Sequence, residues 1–365
     1  MLCNEQAPQL LARVEKAKHD NVRHDDDHEE VGGGSNAIDA WVQKGDWHKV
    51  LKAAEQQGPQ AFGKYLTMRC KNLCDLNDLG GAIEAMDNYG VPVVDAIFPV
   101  LQRVATSLLG CNLEMHGTPK YVTSVEKLRS VLFQFVKDMQ SSRTGIPSHT
   151  VKTFETLLLT AHYFKCIFAA KNHHLPDLAA RMSISLLRFI KILPSDKLFY
   201  LAGMDCRARK WLSPAFVYLN RYLDLSDAML EDGDADLLDN SDFEKTDIPS
   251  PADFDLPEIQ YITEDDKRDE VRDWVMAESM DQANEQQLPQ VNCKTCDVPM
   301  YEASLECLSC QNKNEACIIT GYPVPRTGVV HCTECNAVAD RESWNAWTRA
   351  FAACAWCEKP QRMSY

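Results

Sequence analysis

Eight cysteines arranged as four Cys-x-x-Cys pairs constrain the fold of this chain more than any other sequence feature. The pairs are Cys293/Cys296, Cys307/Cys310, Cys332/Cys335 and Cys354/Cys357. One such turn can direct two thiolates at a metal ion at about 2.3 Å, and two turns complete a closed tetrahedral site. A site closed by four sulfurs leaves no open position for a reacting water, so it is structural. The sequence therefore predicts one or two structural zinc ions bound by these eight residues.

The rest of the chain supports metal binding rather than disulfide formation. No apolar run approaches the roughly 18 residues of a membrane span, and the N-terminus lacks the pattern of a secretory signal. A cytosolic compartment is therefore expected, where thiols stay reduced. The abrupt start inside a helical pattern suggests a fragment of a longer protein. The six scattered cysteines are expected to be buried thiols: Cys3, Cys70, Cys74, Cys111, Cys166 and Cys206.

The net charge of −15 is concentrated in one segment. Residues 231–270 contain 16 acidic and 3 basic side chains, a local charge of −13. Because phosphate contacts need clustered Lys and Arg, nucleic acid is not an expected partner. Residues 226–263 mix these acids with prolines and spaced apolar residues, which a purely solvated linker would lack. We predict an extended acidic strap that docks these anchors on the neighbouring domains: Leu237, Leu238, Phe243, Ile248, Phe254 and Leu256.

Helical periodicity dominates residues 1–225. Apolar residues recur at helical spacing, and the breaks at Gly45-Asp46 and Asn77-Asp78 are typical of turns between short helices. Such helices cannot bury their apolar faces alone, so they are expected to stack as an α-solenoid of tetratricopeptide-like pairs. Within this pattern Gln6–Lys18 is expected to be helical, and Pro99 is expected to kink a helix. His24 and His28 are not expected to form a metal site.

A connecting helix is predicted over residues 264–290, and a small cysteine-rich domain over residues 291–365. Within this domain lie CIITGYPV (317–324) and ADRESWNAWTRAF (339–351). A short apolar loop, a Pro-Val pair and an Asp-Arg-Glu-Ser run opening an amphipathic helix resemble a U-box, the relative of RING domains that recruits ubiquitin-conjugating enzymes. The fold class is thus mainly α, an α-solenoid followed by a small α+β U-box/RING-like zinc-containing domain.

The U-box resemblance implies a shallow apolar groove that contacts ubiquitin or a conjugating enzyme. The corresponding residues are Ile318, Ile319, Pro323, Trp344, Trp347 and Pro360. Lys359 or Arg362 would be the basic residue that steadies a transferred ubiquitin. No residue of this chain would be catalytic in the ordinary sense, because the partner's thioester supplies the chemistry.

Two arrangements of the four cysteine pairs fit the spacing. Sequential pairing joins the first pair to the second and the third to the fourth, whereas cross-braced pairing joins the first to the third and the second to the fourth. In a RING the first and third ligand pairs form one site. If Cys317-x-x-Thr320 stands in the first position, its partner around Ala339–Glu342 has no cysteine either. One RING site is then lost as a unit, which favours the sequential arrangement.

A wider resemblance covers about Phe199 to Phe351. The runs VYLNRYLDLSDAM, LLDNSDFEKTDIP and EVRDWVMAESMDQ, together with CIITGYPV and DRESWNAW, resemble the C-terminal part of the largest subunits of intraflagellar transport complex B. The resemblance implies a structural subunit of ciliary transport located in the cilium or flagellum and at the basal body. Other transport subunits, and ubiquitin or its conjugating enzyme, would be partners. Two alternatives stay open: an active ubiquitin ligase, and a terminal module that only caps the solenoid.

Overall fold

The structure is a computed structural model that describes residues 35–142, 145–231, 233–281 and 285–365. The helix predicted over Gln6–Lys18, the histidines His24 and His28, and Cys3 lie outside these residues. The chain divides into two compact units between Gln56 and Gln57.

The first unit contains helices α1 (Ser35–Lys44) and α2 (Trp47–Gln56), which pack on each other. The turn between them falls at the predicted Gly45-Asp46 break, and Gly45 has a φ of +77°, which glycine adopts without steric cost. Val50 and Leu51 supply the buried face of α2.

The second unit begins with an array of eight helices, α3 to α10. They are α3 Pro59–Asp75, α4 Leu79–Tyr89, α5 Phe98–Leu109, α6 Pro119–Ser141, α7 Ser148–Asn172, α8 Pro176–Leu186, α9 Ser195–Ala208 and α10 Leu212–Leu230. Each helix packs mainly on helices close to it in sequence. This succession confirms the predicted stacked helical array. Among the described helices, none is both long and apolar enough to cross a bilayer.

Local sequence explains where these helices begin. At α6, Thr118 Oγ1 accepts a hydrogen bond from Tyr121 N–H, and Pro119 occupies the first helical turn, where its missing N–H costs nothing. At α4, Asp78 caps the helix after the predicted Asn77-Asp78 turn. The kink expected at Pro99 is wrong: Pro99 lies in the first turn of α5, directly after a 3₁₀ turn over Asp95–Ile97.

Aromatic side chains form the centre of the array. The rings of Phe98 on α5, Phe135 on α6 and Phe154 on α7 meet edge to face at 5.0–5.9 Å. All five scattered cysteines in the described part of the chain are buried, as predicted. The array therefore has a continuous apolar core.

The acidic strap contains short 3₁₀ turns over Ala235–Leu237, Ser241–Phe243 and Pro251–Asp253. Phe243 and Ile248 are buried, and the Phe243 ring lies 5.4 Å from that of Phe199 on α9. These two anchors dock as predicted. Leu237 does not, because 84% of its surface is exposed. The strap leads to helix α11 (Asp265–Ser279), which packs on α10.

The C-terminal part contains two antiparallel hairpins and one helix. Strands β1 (Gln290–Asn292) and β2 (Pro299–Tyr301) form the first hairpin, in which Val291 lies opposite Met300. Strands β3 (Val329–His331) and β4 (Val338–Asp340) form the second, in which Val330 lies opposite Ala339. Helix α12 (Arg341–Phe351) follows β4 directly and is capped by the Asp340 carboxylate, which accepts from Ser343 N–H. The predicted fold class, a helical array followed by a small α+β module, is confirmed.

Candidate metal centres and their contacts with the helices

The eight paired cysteines form two separate groups of four sulfurs. Cys293, Cys296, Cys307 and Cys310 form tetrad 1, and Cys332, Cys335, Cys354 and Cys357 form tetrad 2; in each, all four sulfurs lie within 4.8 Å of one another. The sequential pairing is therefore confirmed and the cross-braced one is wrong. The sulfur separations that define the shape are 3.6 Å for Cys293–Cys310, 3.7 Å for Cys296–Cys307, 3.7 Å for Cys332–Cys357 and 3.8 Å for Cys335–Cys354.

These distances fit a metal tetrahedron. A tetrahedron with metal–sulfur bonds of about 2.3 Å has sulfur–sulfur edges of about 3.8 Å. A disulfide would instead bring two sulfurs to about 2.05 Å. Four thiolates form a soft donor set of the kind that selects zinc among common cellular cations. Each tetrad could therefore hold one metal ion.

All four pairs adopt the same backbone turn. In each, the N–H of the residue after the second cysteine donates to the carbonyl oxygen of the first cysteine, at 2.7–3.0 Å. The N–H of the first cysteine donates to the carbonyl oxygen of the residue five positions later. The residue after the second cysteine has a positive φ in every case: Asp297, Gln311, Asn336 and Glu358. This turn places both thiols of a pair on one side of the backbone.

The turn also supplies backbone hydrogen bonds to sulfur that favour the thiolate, although burial and the neighbouring thiols raise the pKa of Cys310, Cys335 and Cys354 overall. The backbone N–H groups of Cys296 and Thr295 donate to the sulfur of Cys293 and lower its pKa to about 6. Metal binding requires the deprotonated thiol, so hydrogen bonds that favour the thiolate prepare the ligand for a cation.

A fifth turn of the same shape lacks the second cysteine. Gly321 N–H donates to Cys317 O at 2.7 Å, Cys317 N–H donates to Tyr322 O at 2.8 Å, and Gly321 has a φ of +75°. Thr320 stands where the other turns have their second sulfur. Cys317 is buried and belongs to neither tetrad. Burial raises its pKa, against hydrogen bonds from Thr320 and from the Asp340 backbone. A neutral, hydrogen-bonded thiol therefore occupies this position.

The fifth turn is held against the helices by hydrogen bonds to its backbone. His162 on α7 contacts Ile318 O through Nε2 at 2.8 Å, and Ser185 on α8 donates to Thr320 O at 2.7 Å. Arg188, which follows α8, donates to Gly321 O at 2.7 Å and to Ala303 O at 3.0 Å. These contacts join the cysteine-rich part of the chain to the helical array.

The predicted groove residues are mostly covered. Ile319, Trp344 and Trp347 are buried, with Ile319 fully so, and Ile318 and Pro323 are half-buried. Trp344 also donates through Nε1 to Arg362 O at 3.0 Å. Three of the six side chains are therefore inaccessible to a partner in this structure, and the contact role of the set stays a prediction.

Pro360 is the exposed member of the predicted set, and Lys359 and Arg362 beside it are exposed as well. Pro360 and Arg362 border a surface cavity of about 420 Å³ together with His331 and Thr333, and Trp344 forms part of its wall. This cavity is the accessible remainder of the predicted contact surface.

Tetrad 2 also contacts the helical array. Arg129 on α6 donates through Nη2 to Trp356 O, and its Nη1 lies 3.3 Å from Glu358 Oε1. Lys165 on α7 forms an ion pair with the same Glu358 carboxylate. The Trp356 ring lies 5.8 Å from the Phe133 ring and 5.0 Å from the His162 ring. The second half of tetrad 2 is thus fixed from two helices.

Sequence reasoning missed the polar side chains that make these contacts. No sequence motif marks His162, Arg129, Ser185 or Arg188. Arg129 did carry a signal, because this charged residue lies four positions after Val125 and three before Leu132, on the apolar face of α6. A buried charge needs partners, but the sequence does not say where in the chain they lie.

Comparisons with known proteins give one consistent result. The chain is 35% identical over 323 residues to Intraflagellar transport protein 172 of Chlamydomonas reinhardtii, which covers 86% of the chain and 18% of that protein. It is 36% identical over 321 residues to the human homolog, with 86% and 17% covered. The Drosophila melanogaster homolog is 32% identical over 347 residues, with 94% and 19% covered. No protein-family model matches the chain.

The matches fall in the C-terminal part of these relatives. The chain thus spans less than a fifth of the length of the relatives it matches. The similarity extends over most of this chain and includes both the helical array and the cysteine-rich part.

Proposed function

Because this chain is homologous to the C-terminal part of intraflagellar transport protein 172, we propose that it acts as a structural and protein-binding part of the intraflagellar transport machinery. Its site of action would be the cilium or flagellum and the basal body. The observation that carries this proposal is the similarity over 86% of the chain to relatives with that name. The stacked helices support it, since arrays of this kind offer extended surfaces to other proteins.

Binding to other transport subunits is the central test of this proposal. Purified transport subunits would be mixed one at a time with the full chain, and complexes would be followed by size-exclusion chromatography with light scattering. At least one subunit is expected to form a complex of defined stoichiometry. If none of them binds, the chain does not act as a docking part of this machinery.

We further propose that each tetrad binds one zinc ion, so that a folded chain carries two. The supporting observations are the sulfur separations of 3.6–3.8 Å and the backbone turn that all four cysteine pairs share. Zinc would supply structural cross-links rather than catalysis, because four sulfurs close each site. Elemental analysis should give two zinc ions per chain, and one each in Cys293→Ser and Cys354→Ser. A folded, metal-free protein would contradict this.

A second candidate function is contact with ubiquitin or its conjugating enzyme. The exposure of Pro360, Lys359 and Arg362 beside the 420 Å³ cavity favours this surface over the buried Ile319 loop. An in vitro ubiquitination assay of the full chain would compare the native protein with Pro360→Ala and Pro323→Ala. Ubiquitin chains that form with the native protein and decrease in Pro360→Ala would support a ligase. Equal activity in all three, or none, would exclude ligase activity through this surface.

The plain alternative is that the terminal module only caps the helical array. The hydrogen bonds from His162, Ser185 and Arg188 to the fifth turn are what a cap requires. Capping and partner binding are compatible, since the cap uses the buried side of the module and partners would use its exposed side.

A further inference from the structure

Arg129 is a buried cation whose polar partners belong to the metal-binding part of the chain. Only 4% of its surface is exposed. A guanidinium removed from water costs several kcal/mol unless acceptors replace the lost solvent. Its hydrogen-bond acceptors are Trp356 O and the Glu358 carboxylate. These two residues flank Cys357, a member of tetrad 2.

The contact is more than one hydrogen bond. The Arg129 guanidinium lies over the Trp356 ring at 5.5 Å and over the Phe133 ring at 4.6 Å, both within the range of cation–π attraction. Lys165 on α7 adds a second positive charge at Glu358. Two helices thus fix the backbone turn that carries Cys354 and Cys357.

An occupied tetrad would carry a negative charge, which the nearby Arg129 cation would stabilise. Four thiolates around one dication carry a net charge of −2, and a nearby fixed cation stabilises such a centre more strongly in a buried setting than in water. Arg129 interacts electrostatically with both Cys354 and Cys357. Its hydrogen bond to Trp356 O also holds the turn in the shape that aims both sulfurs at one point.

Within the described residues, no buried cation of the helical array contacts a turn of tetrad 1; the carbonyl of Lys294, between Cys293 and Cys296, instead accepts from the exposed Arg326 of the cysteine-rich part at 2.6 Å. Among all the described residues, the buried cationic side chains are Arg129, Lys197 and Arg221. Lys197 donates to Leu109 O and Cys111 O, and Arg221 donates to Asp239 O. Neither reaches a cysteine pair, so the two tetrads differ in their attachment to the helical array.

We infer that Arg129 is a positioning residue for the metal of tetrad 2, lying outside the ligand sphere, and that the helical array thereby sets the metal affinity of this tetrad but not of tetrad 1. The inference rests on the proposed zinc binding. Residues that orient ligands in this way typically change metal affinity by roughly 10- to 100-fold when they are replaced. Breaking the contact between Arg129 and the turn should then weaken metal binding by tetrad 2, and removing the metal should weaken that contact.

The test measures the zinc affinity of each tetrad in the full chain. Zinc-loaded protein is titrated with a chromophoric chelator, and the two tetrads are assigned with Cys293→Ser and Cys354→Ser backgrounds. In Arg129→Gln, the affinity of tetrad 2 is expected to fall roughly 10- to 100-fold while that of tetrad 1 is unchanged. Arg129→Lys keeps the charge and should recover part of the loss. Arg221→Gln, another buried arginine on a helix, is the matched control and should change neither tetrad.

Hydrogen exchange of residues 353–360 provides a readout independent of metal content. Exchange there should quicken in Arg129→Gln even when zinc is saturating. If Arg129→Gln does not fold, Lys165→Gln carries the test, because Lys165 is partly exposed and its loss should still weaken tetrad 2 selectively. Equal affinities of tetrad 2 in the native chain and in the folded variants, or equal losses at both tetrads, would overturn the inference. Absence of zinc from both tetrads would instead overturn the proposed metal binding.

Discussion

His162 Nε2 lies 2.8 Å from the carbonyl oxygen of Ile318, a residue 156 positions further along the chain. A carbonyl can only accept, so Nε2 carries the proton and the imidazole can stay neutral. His162 is fully buried on α7, and Ile318 lies in the fifth turn. This hydrogen bond is one of several that join the helical array to the cysteine-rich module.

Acid should weaken this connection. Burial, helped by Arg129, lowers the pKa of His162 to about 3, whereas an unfolded histidine titrates near 6.5. Between these values the unfolded state binds more protons, so stability falls as the pH falls, by up to about 1.4 kcal/mol per pH unit for one such group. Urea unfolding between pH 6.5 and 4 should show a shallower pH slope for His162→Gln than for the native chain.

The control for this pH experiment is His149→Gln, because His149 is exposed. Thiolate protonation also destabilises the protein in acid, but both variants keep all eight paired cysteines, so this contribution cancels in the comparison. Identical slopes for His162→Gln and the native chain would show that His162 is not buried in its neutral form.

Gly321→Ala should destabilise the protein strongly. Gly321 has a φ of +75°, and a Cβ there would lie 2.6 Å from the Ser185 side chain, so backbone strain and a clash combine. Gly328→Ala is the matched control, since its φ is +79° but its Cβ would meet nothing closer than 3.7 Å. We expect a loss of about 1 kcal/mol for Gly328→Ala and about 3 kcal/mol or more for Gly321→Ala. Urea unfolding measures both, and equal losses would place the fifth turn away from α8.

Replacing Cys317 should leave the metal content unchanged. Cys317 is the ninth cysteine of the region but lies in neither tetrad, whereas Cys354 is a member of tetrad 2. Cys317→Ser should therefore retain two zinc ions per chain, and Cys354→Ser should retain one. Elemental analysis of purified, folded protein decides this. Loss of zinc from Cys317→Ser would mean that the fifth turn participates in metal binding.

Ile319→Ala should lower the stability of the protein, whereas Pro360→Ala should leave it nearly unchanged. Ile319 is fully buried, so its truncation should cost about 2–5 kcal/mol of stability. Pro360 is exposed, and its replacement should change stability by less than about 0.5 kcal/mol. If Ile319→Ala reduces partner binding, the reduction should match the fraction of unfolded protein. A partner that binds the exposed surface should instead bind Pro360→Ala more weakly although this variant is fully folded. Thermal unfolding and binding, measured on the same samples, separate the two cases.

Several features could be predicted from sequence because their causes are local. Apolar periodicity and the turns at Gly45-Asp46 and Asn77-Asp78 determine the helices, and the three-residue spacing of each cysteine pair determines its turn. Pro99 shows the limit of such reasoning. A proline disrupts a helix interior but is favoured in the first turn, and the pattern alone did not show where α5 begins.

The amino-acid sequence by itself determined that this chain is a stack of helices followed by a module with two four-sulfur centres, since periodicity and ligand spacing are properties of short segments. Only the tertiary structure decided which surfaces remain free. The Ile319 loop resembles a docking loop in sequence, but the hydrogen bonds from His162, Ser185 and Arg188 bury it against helices more than 130 residues away. Contacts over such separations depend on how the whole chain packs, and no local pattern encodes them.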